Sequence, residues 1–307
     1  PNTAFVGDGA LGFTQVPLVD DPAGPTEFRA LADLDGDGVV DLVYVVGEAL
    51  RLSLGDGTLP FQAGTPFTFD DVVFERFWTG LRDDFDGDGA ADLRLLTSRV
   101  GVIEVAWGST TGLTAVEQIV ETPDLGVPIA AARTLDFDAD GDVDVVGLGA
   151  TDPGQLYLVE NLGGNVFAPL RAIGPEFVAS VGVEVGDFDG DTVPEVAVCA
   201  NADGRILVFD VVGGSGLQLA ADIANPAPGL LPQFAADLDG DGDDELVLGT
   251  GGATLVFAGG PGGRDPTPTQ VGFLVRQTRA ADLDGDGDLD LVNQSLSTSR
   301  IVENLGG

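Results

Sequence analysis

The apolar residues of this chain fall in short runs that are separated by turns. Four of the runs are almost wholly apolar, at 42–46, 145–148, 196–200 and 246–248. Three others follow after a turn, at 50–54, 155–159 and 205–209, and the first of them alternates apolar with polar residues. Short runs of this kind, bounded by Gly, Asn, Asp and Pro, predict β-strands, and no stretch sustains the 3.6-residue period of a helix. The pattern therefore predicts an all-β protein.

An acidic segment of nine residues recurs six times at a nearly fixed spacing. The first Asp of each copy precedes that of the next by 51, 52, 51, 50 and 45 residues, so six units fill the chain. We call these segments acidic loops 1 to 6; they span 33–41, 84–92, 136–144, 187–195, 237–245 and 282–290. Four strands with their turns need roughly 40–50 residues, which is the size of one propeller blade. We therefore predict a six-bladed β-propeller of four-stranded antiparallel blades, in one domain over residues 1–307.

The two ends of the chain suggest how the ring closes. After Asp290 only 17 residues remain, enough for two strands at 291–294 and 300–304. We expect the N-terminal strand at 12–19 to complete this last blade, because an open ring would expose two strand edges. Residues 2–6 resemble another third strand and duplicate the role of 300–304. Either one copy is surplus or the chain belongs to a longer array.

The composition excludes several classes of function. The chain has 13 basic residues, all Arg, 51 acidic residues and no His, so its net charge is −38. Such an acidic chain repels nucleic acid and anionic lipid, and no apolar run is long enough to span a bilayer. A single Cys and no His exclude His- or Cys-based zinc sites and Ser-His-Asp or Cys-His catalysis. Hydrophobic residues make up 44%, which favours a folded protein over a disordered one.

The spacing of acids within each acidic loop predicts a calcium site. Carboxylates at the first, third and fifth positions of a tight loop converge, the seventh residue offers its carbonyl, and the ninth is Asp or Glu in all six copies. Gly at the sixth position in five copies allows the sharp turn. Hard oxygen ligands favour Ca²⁺, with Mg²⁺ as second choice. The predicted ligands are Asp33, Asp35, Asp37, Val39, Asp41, Asp84, Asp86, Asp88, Ala90, Asp92, Asp136, Asp138, Asp140, Asp142, Asp144, Asp187, Asp189, Asp191, Val193, Glu195, Asp237, Asp239, Asp241, Asp243, Glu245, Asp282, Asp284, Asp286, Asp288 and Asp290.

An EF-hand begins in the same way but needs a bidentate Glu at its twelfth position and flanking helices. The twelfth positions here are Tyr44, Leu95, Gly147, Val198, Leu248 and Asn293, and none is acidic. A strand-like run follows every acidic loop. We therefore predict calcium loops within β-hairpins.

The motif Asp-x-Asp-Gly-Asp-Gly-x-x-Asp followed by an apolar strand resembles the FG-GAP/VCBS repeats of integrin α-subunit propellers and bacterial secreted proteins. The fourth copy, within 185–198, is particularly similar. The resemblance covers all six units and implies that the acidic loops bind up to six Ca²⁺, one per blade. Thr192 in place of Gly is expected to strain loop 4, and Ala139 in place of Gly to matter little. Integrin-like propellers have seven blades, so six is a departure.

Calcium loops of this kind favour a protein of the extracellular space or cell surface. Extracellular modules bind Ca²⁺ with Kd of roughly 10⁻⁴–10⁻³ M, and a higher ligand charge tightens binding. We expect the loops to join the first two strands of each blade and so to stabilise the fold. The predicted function is that of a secreted, non-catalytic binding, adhesion or scaffold module for protein or carbohydrate partners, monomeric or part of a longer chain.

The alternative is a calcium-dependent polysaccharide lyase or hydrolase. Proton abstraction by a lyase usually recruits Lys, His or Tyr, and the first two are absent. We therefore expect no catalysis. Propeller faces that bind sugars favour exposed aromatic residues, but Trp78 and Trp107 lie near strand positions, where a buried packing role is expected. Cys199 lies within an apolar strand and is expected in the core.

Overall fold

A computed structural model describes most of the chain. The described residues are 3–7, 13–24, 27–47, 49–67, 82–96, 102–114, 116–121, 129–150, 152–178, 180–200, 204–226, 229, 231–249, 253–260, 267–273, 277–281, 289–294 and 299–302. They form strands and turns without a helix, which confirms the all-β prediction for this part of the chain. Among the described residues there is no helix that could cross a membrane. Contacts divide the chain into a first unit, Pro1–Pro128 with Val159–Leu170, and a second unit, Ile129–Leu158 with Arg171–Gly307.

The first unit contains two four-stranded antiparallel sheets and two smaller pairings. Its strands are β1 (Thr3–Gly7), β2 (Phe13–Pro17), β3 (Val19–Asp20), β4 (Glu27–Ala32), β5 (Asp41–Val46), β6 (Ala49–Ser53), β7 (Phe61–Gln62), β8 (Thr65–Phe67), β9 (Arg82–Asp83), β10 (Asp92–Leu96), β11 (Val102–Ala106) and β12 (Val116–Glu121). The sheet orders are β4-β5-β6-β8 and β9-β10-β11-β12. The short β3 pairs in parallel with β7, and β1 pairs with β2.

The second unit repeats the same sheet three times and adds a three-stranded one. Its strands are β13 (Ile129–Leu135), β14 (Asp144–Gly149), β15 (Gly154–Val159, whose last residue falls in the first unit), β16 (Arg171–Phe177), β17 (Ser180–Gly186), β18 (Glu195–Ala200), β19 (Arg205–Val212), β20 (Gly216–Ala224), β21 (Leu231–Ala236), β22 (Glu245–Gly249), β23 (Ala253–Phe257), β24 (Thr269–Phe273), β25 (Gln277–Ala281), β26 (Asp290–Gln294) and β27 (Ser299–Val302). Each sheet follows the order of its strands along the chain. Four-stranded antiparallel sheets are therefore confirmed.

The second strands of three sheets in the second unit are buried throughout. Every residue of β14, β18 and β22 is buried, on both faces of the sheet. This explains why these strands are almost continuously apolar, since neither face contacts water. In the second unit the core of each sheet merges with that of the next: Val146 and Val196 lie in one cluster, and Ala197 and Leu246 in another. Sheets of this unit thus pack face to face in chain order.

The first strands of consecutive sheets in the second unit are also neighbours. β13 contacts β17, β17 contacts β21, and β21 contacts β25. Arg133 of β13 donates from Nε and Nη2 to the two carboxylate oxygens of Glu184 in β17, at 2.6 and 2.9 Å. Glu184 is buried, so this bidentate pair satisfies a charge that would otherwise be costly. This ion pair thus connects β13 and β17, the first strands of two consecutive sheets.

The N-terminal strand forms a hairpin with the segment before it. β2 pairs with β1 in the register Thr3↔Pro17 to Gly7↔Phe13, so the described part of the N-terminal segment forms a two-stranded hairpin. The role of residues 2–6 as a third strand stays a prediction. The last sheet, β25-β26-β27, has three strands in the described residues, and no described pairing joins β2 to it. Closure of the last blade and the number of six blades stay predictions.

Candidate calcium loops

Each described acidic loop connects the first strand of a sheet to the second. Loops 1 to 5 follow β4, β9, β13, β17 and β21 and end at the first residue of β5, β10, β14, β18 and β22. The twelfth positions lie in those second strands, which agrees with the rejection of an EF-hand. In loop 6, residues 282–288, which include Asp282, Asp284, Asp286 and Asp288, lie outside the described residues. Asp290 is described and is buried at the start of β26.

The backbone of each loop wraps around its own carboxylates. In loop 1 the two oxygens of Asp33 accept from the N–H groups of Asp37 and Gly38, at 3.0 and 2.8 Å. Asp35 also accepts from Asp37 at 3.2 Å, and Asp37 accepts from Val39 at 2.7 Å. Loops 2, 3 and 4 repeat this pattern at equivalent positions. These bonds hold the backbone of each loop around the carboxylates of its first, third and fifth residues.

The turn requires left-handed backbone at both the fourth and the sixth positions. In loop 1 these are Gly36 and Gly38, with φ of 72° and 84°. Thr192, at the sixth position of loop 4, has φ of 72°, which agrees with the strain expected there. Ala139, at the fourth position of loop 3, also has a positive φ, 62°, so the expectation that it matters little is wrong. Sequence reasoning missed the fourth position because it ascribed the turn to the sixth alone.

The ninth carboxylate is buried and bonded to two separate parts of its sheet. Asp92 is 0% exposed and accepts from the Phe85 N–H at 2.8 Å and from the Gly108 N–H at 2.6 Å. Asp41 and Glu245 make the equivalent pairs of bonds. One oxygen therefore holds the start of the loop, and the other holds the end of the third strand. This residue stabilises the loop whether or not it also binds a cation.

The loops bring three or four carboxylates together in each described copy. In each group one oxygen per residue lies within 4.8 Å of the others. The groups are Asp33, Asp35 and Asp37; Asp84, Asp86 and Asp92; Asp136, Asp138 and Asp144; Asp187, Asp189, Asp191 and Glu195; and Asp237, Asp239 and Asp241. The carboxylates of Asp41, Asp88, Asp140, Asp142, Asp243 and Glu245 are outside these groups. The seventh-position carbonyls stay predicted ligands.

Burial and crowding in the acidic loops disfavour the charged form of several carboxylates. Burial raises the pKa of Asp92 to about 7, with a further rise from the charges of Asp86 and Asp84. Burial also raises the pKa of Asp35 and Asp239, and neighbouring Asp charges add to the effect. A bound cation would reverse this by favouring the charged forms.

Loops 1, 2 and 4 also pack against the connection between the third and fourth strands of the next repeat. Ser109 N–H donates to the Leu34 carbonyl of loop 1 at 3.2 Å, and Asn161 Nδ2 donates to the Phe85 carbonyl of loop 2 at 2.8 Å. Gly260 N–H donates to the Phe188 carbonyl of loop 4 at 3.1 Å. Each of these loops is therefore held by two consecutive repeats.

A family model described as the FG-GAP-like repeat matches residues 136–198 and 237–292. These segments contain acidic loops 3 and 4 with β14 and most of β18, and loops 5 and 6 with β22 and most of β26. Residues 136–198 and 237–292 are FG-GAP-like repeats. The resemblance inferred from the acidic loops is thus confirmed.

Solved structures with a similar fold include a β-propeller. A lectin from Agrocybe aegerita, solved to show specific recognition of non-reducing terminal N-acetylglucosamine, has a TM-score of 0.77 at 19% identity, covering 99% of this chain and 85% of that chain. BBS1N in complex with ARL6DN has a TM-score of 0.59 at 14% identity, covering 97% and 89%. The Dos1 propeller has a TM-score of 0.58 at 12% identity, covering 99% and 74%. At these identities the similarity establishes the fold alone. No curated protein has significant sequence similarity to the chain.

The remaining residues singled out from the sequence are mostly buried. Trp107 is buried beside Phe167, with ring centroids 6.4 Å apart, whereas Trp78 lies outside the described residues. Cys199 lies in the core, and burial raises its pKa to about 12. Tyr44 and Tyr157 are both buried, and the Tyr44 hydroxyl donates to Asp21 at 2.7 Å. Trp107, Cys199, Tyr44 and Tyr157 thus have packing roles in the sheets.

Proposed function

We propose that this protein is a calcium-stabilised, non-catalytic β-propeller that binds a carbohydrate or protein partner outside the cell. The observation that carries the proposal is the convergence of three or four carboxylates in each of five acidic loops. Calcium would supply positive charge at each point where backbone hydrogen bonds hold these oxygens together. The millimolar calcium that fills such loops is found in extracellular fluid, which supports secretion or display at the cell surface.

The residues of the loops fit calcium chemically. All side chains that converge are carboxylates, which are hard oxygen ligands, and each loop has the left-handed turns that bring them together. Burial and then the neighbouring Asp charges raise the pKa values of Asp35, Asp92 and Asp239, and a divalent cation would favour the charged forms. We extend the assignment to loop 6, whose sequence has the same acidic positions.

Calorimetric titration of EDTA-stripped protein with CaCl₂ should reveal five or six sites per chain. Each site should have a Kd of about 10⁻³ M or tighter, because each loop offers several carboxylates. A matched titration with MgCl₂ should give weaker heats, since Mg²⁺ keeps more of its water. Saturation at one calcium per chain, or none, would contradict the assignment.

We also propose that the six sheets with acidic loops are the six blades of one propeller. Five of them have four strands and the sixth has three in the described residues. The N-terminal hairpin would provide the missing outer strand through β2. The propeller fold of the similar structures supports this arrangement.

A carbohydrate is the partner class we favour. The supporting observation is the similarity to the Agrocybe aegerita lectin, which extends over 99% of this chain. A rigid propeller presents side chains from its rims with little ordering cost, which favours binding. Glycans that end in non-reducing N-acetylglucosamine are therefore the first probes.

On a glycan array, the calcium-loaded protein should bind a subset of glycans, and EDTA should abolish the signal by loosening the loops. Product analysis on each bound glycan tests the alternative of a calcium-dependent lyase or hydrolase. No turnover is expected, because both tyrosines are buried and the chain has neither Lys nor His. Cleavage of a bound glycan would show that the protein is an enzyme and contradict the non-catalytic proposal. Glycan binding that EDTA does not change would show that binding does not depend on calcium.

A further inference from the structure

Asp244, the eighth residue of acidic loop 5, contacts the first residue of acidic loop 4. The Asp244 backbone N–H donates to the Asp187 carbonyl at 2.6 Å. The Asp187 backbone N–H in turn donates to the Asp244 carboxylate oxygen Oδ2 at 2.9 Å. One residue of the next repeat therefore satisfies both polar groups of the Asp187 main chain.

The side chain of Asp244 distinguishes this contact from its counterpart in the first unit. There Ala91, the eighth residue of loop 2, donates from its N–H to the carbonyl of Asp33, the first residue of loop 1, at 2.9 Å. The backbone bond therefore recurs, but an alanine side chain cannot accept the second bond. The eighth residues of the remaining loops are also apolar: Val40, Val143, Pro194 and Leu289. Among the six loops, loop 5 alone offers a side-chain acceptor at this position.

The residue before loop 4 leaves room for the Asp244 carboxylate. This residue is Gly186, and a Cβ there would lie 2.9 Å from Asp244 Oδ2 and 2.7 Å from the Ala235 Cβ. The other five loops follow residues that have a Cβ: Ala32, Asp83, Leu135, Ala236 and Ala281. The glycine before loop 4 and the acidic eighth residue of loop 5 therefore occur together, where the two repeats are in contact.

Loop 4 contains a strained turn that needs support from its surroundings. Its sixth residue, Thr192, has a φ of 72°, a left-handed conformation that is costly for a β-branched residue. Such a conformation persists only where neighbouring contacts hold it. The Thr192 N–H donates to Asp187 Oδ2 at 2.8 Å, and Asp187 belongs to the loop 4 group of four carboxylates. A contact that fixes the Asp187 main chain therefore supports both the strained turn and this carboxylate.

We propose that Asp244 is a positioning residue for the cation site of acidic loop 4, because it fixes the main chain from which the Asp187 carboxylate extends. The inference rests on the proposed calcium function and deepens it by assigning part of the loop 4 site to the next repeat. Asp244 lies outside the loop 4 group, so it acts through the hydrogen bond from Asp187 and not as a ligand. Supporting contacts of this kind commonly change metal affinity by about 10–100-fold.

Calorimetric titration of the full EDTA-stripped chain with CaCl₂ tests the proposal through two substitutions at residue 244. Asp244→Ala removes the acceptor and should weaken one site by about tenfold. Asp244→Asn removes the charge but keeps an oxygen that can accept from the Asp187 N–H, so it should restore most of the affinity. Alanine is compatible with the fold at this position, because Ala91 is the eighth residue of loop 2.

Double substitutions identify the weakened site. The effect of Asp244→Ala should be non-additive with Asp189→Asn in loop 4, because both changes act on one site, and additive with Asp239→Asn in loop 5. Asp222→Ala is the control matched for charge. It removes one acidic residue from β20, where Asp222 pairs with Arg205, and should leave every calcium site unchanged.

Amide hydrogen exchange in EDTA, followed by NMR, gives a second readout that needs no calcium. Asp244→Ala should speed the exchange of the Asp187 N–H, and Asp244→Asn should not. Unchanged calcium sites in Asp244→Ala, non-additivity with Asp239→Asn instead, or an Asp244→Asn chain as weak as Asp244→Ala would overturn the positioning role while calcium binding itself stands. No calcium binding by the unmodified chain would overturn both this inference and the calcium proposal.

Discussion

Stripping calcium with EDTA at pH 8 should lower the melting temperature of this protein by more than about 10 °C. A ligand at 100 times its Kd stabilises the folded state by about 2.7 kcal/mol per site. For chains of roughly this size, each kcal/mol shifts the melting temperature by about 2–4 °C. Because five described loops have converging carboxylates, their combined effect on the melting temperature should be large.

The EDTA effect should be larger at pH 8 than at pH 5.5. Asp92, with its pKa raised to about 7, and Asp35 and Asp239, with pKa values raised by burial, bind protons more readily in the folded chelated protein than in the unfolded chain. A carboxyl whose pKa is higher in the folded than in the unfolded state stabilises the folded state when it is protonated. This stabilisation is complete below the ordinary pKa of Asp, about 4, and it is lost as the pH rises toward about 7. The chelated protein should therefore weaken across this window.

Melting followed by circular dichroism, with 5 mM EDTA or about 5 mM CaCl₂ at both pH values, measures these effects. Readdition of calcium to the chelated sample is the control and should restore the melting temperature. Superimposable curves with and without calcium at pH 8 would show that the loops do not depend on a cation.

The second large effect is expected from Asp92→Ala, which should destabilise the protein by about 2–5 kcal/mol. Asp92 is 0% exposed, and its two oxygens satisfy the N–H groups of Phe85 and Gly108. Alanine leaves both donors buried without partners, and each such group costs about 1–3 kcal/mol. Urea unfolding in calcium measures the loss.

The matched control is Asp56→Ala. Asp56 is exposed and accepts from the backbone and hydroxyl of Thr58 in a turn, so its loss should cost less than about 1 kcal/mol. Repeating both measurements in EDTA at pH 5.5 separates hydrogen bonding from metal binding. If the cost of Asp92→Ala vanished in EDTA, the backbone bonds would not be its cause.

Local features of this fold were predictable from the sequence. The strands at Asp41–Val46 and Glu195–Ala200 follow from continuous apolar runs, and the loops between strands follow from acids and glycines at fixed positions. The strain at Thr192 was predictable for the same reason, since it depends on one residue and its own backbone. The left-handed Ala139 was missed because the turn was ascribed to the sixth position alone, although the fourth position is Gly in the other five loops.

Contacts between repeats were not predictable. Arg133 and Glu184 are 51 residues apart, and nothing near either residue in the sequence indicates the other. Similarly, the seventh loop position is variable, with Ala90 in loop 2 and Asp243 in loop 5. The sequence does not indicate which residues of a neighbouring repeat either side chain contacts.

The sequence by itself determined the strand period, the repeat and the acidic positions of each loop, because these depend on residues within a single turn or hairpin. Tertiary structure alone decided which carboxylates are buried, as with Asp92 and Asp243, and which repeat each of them contacts. Burial and electrostatic repulsion depend on distances through space, and those distances exist only once one sheet has packed against the next.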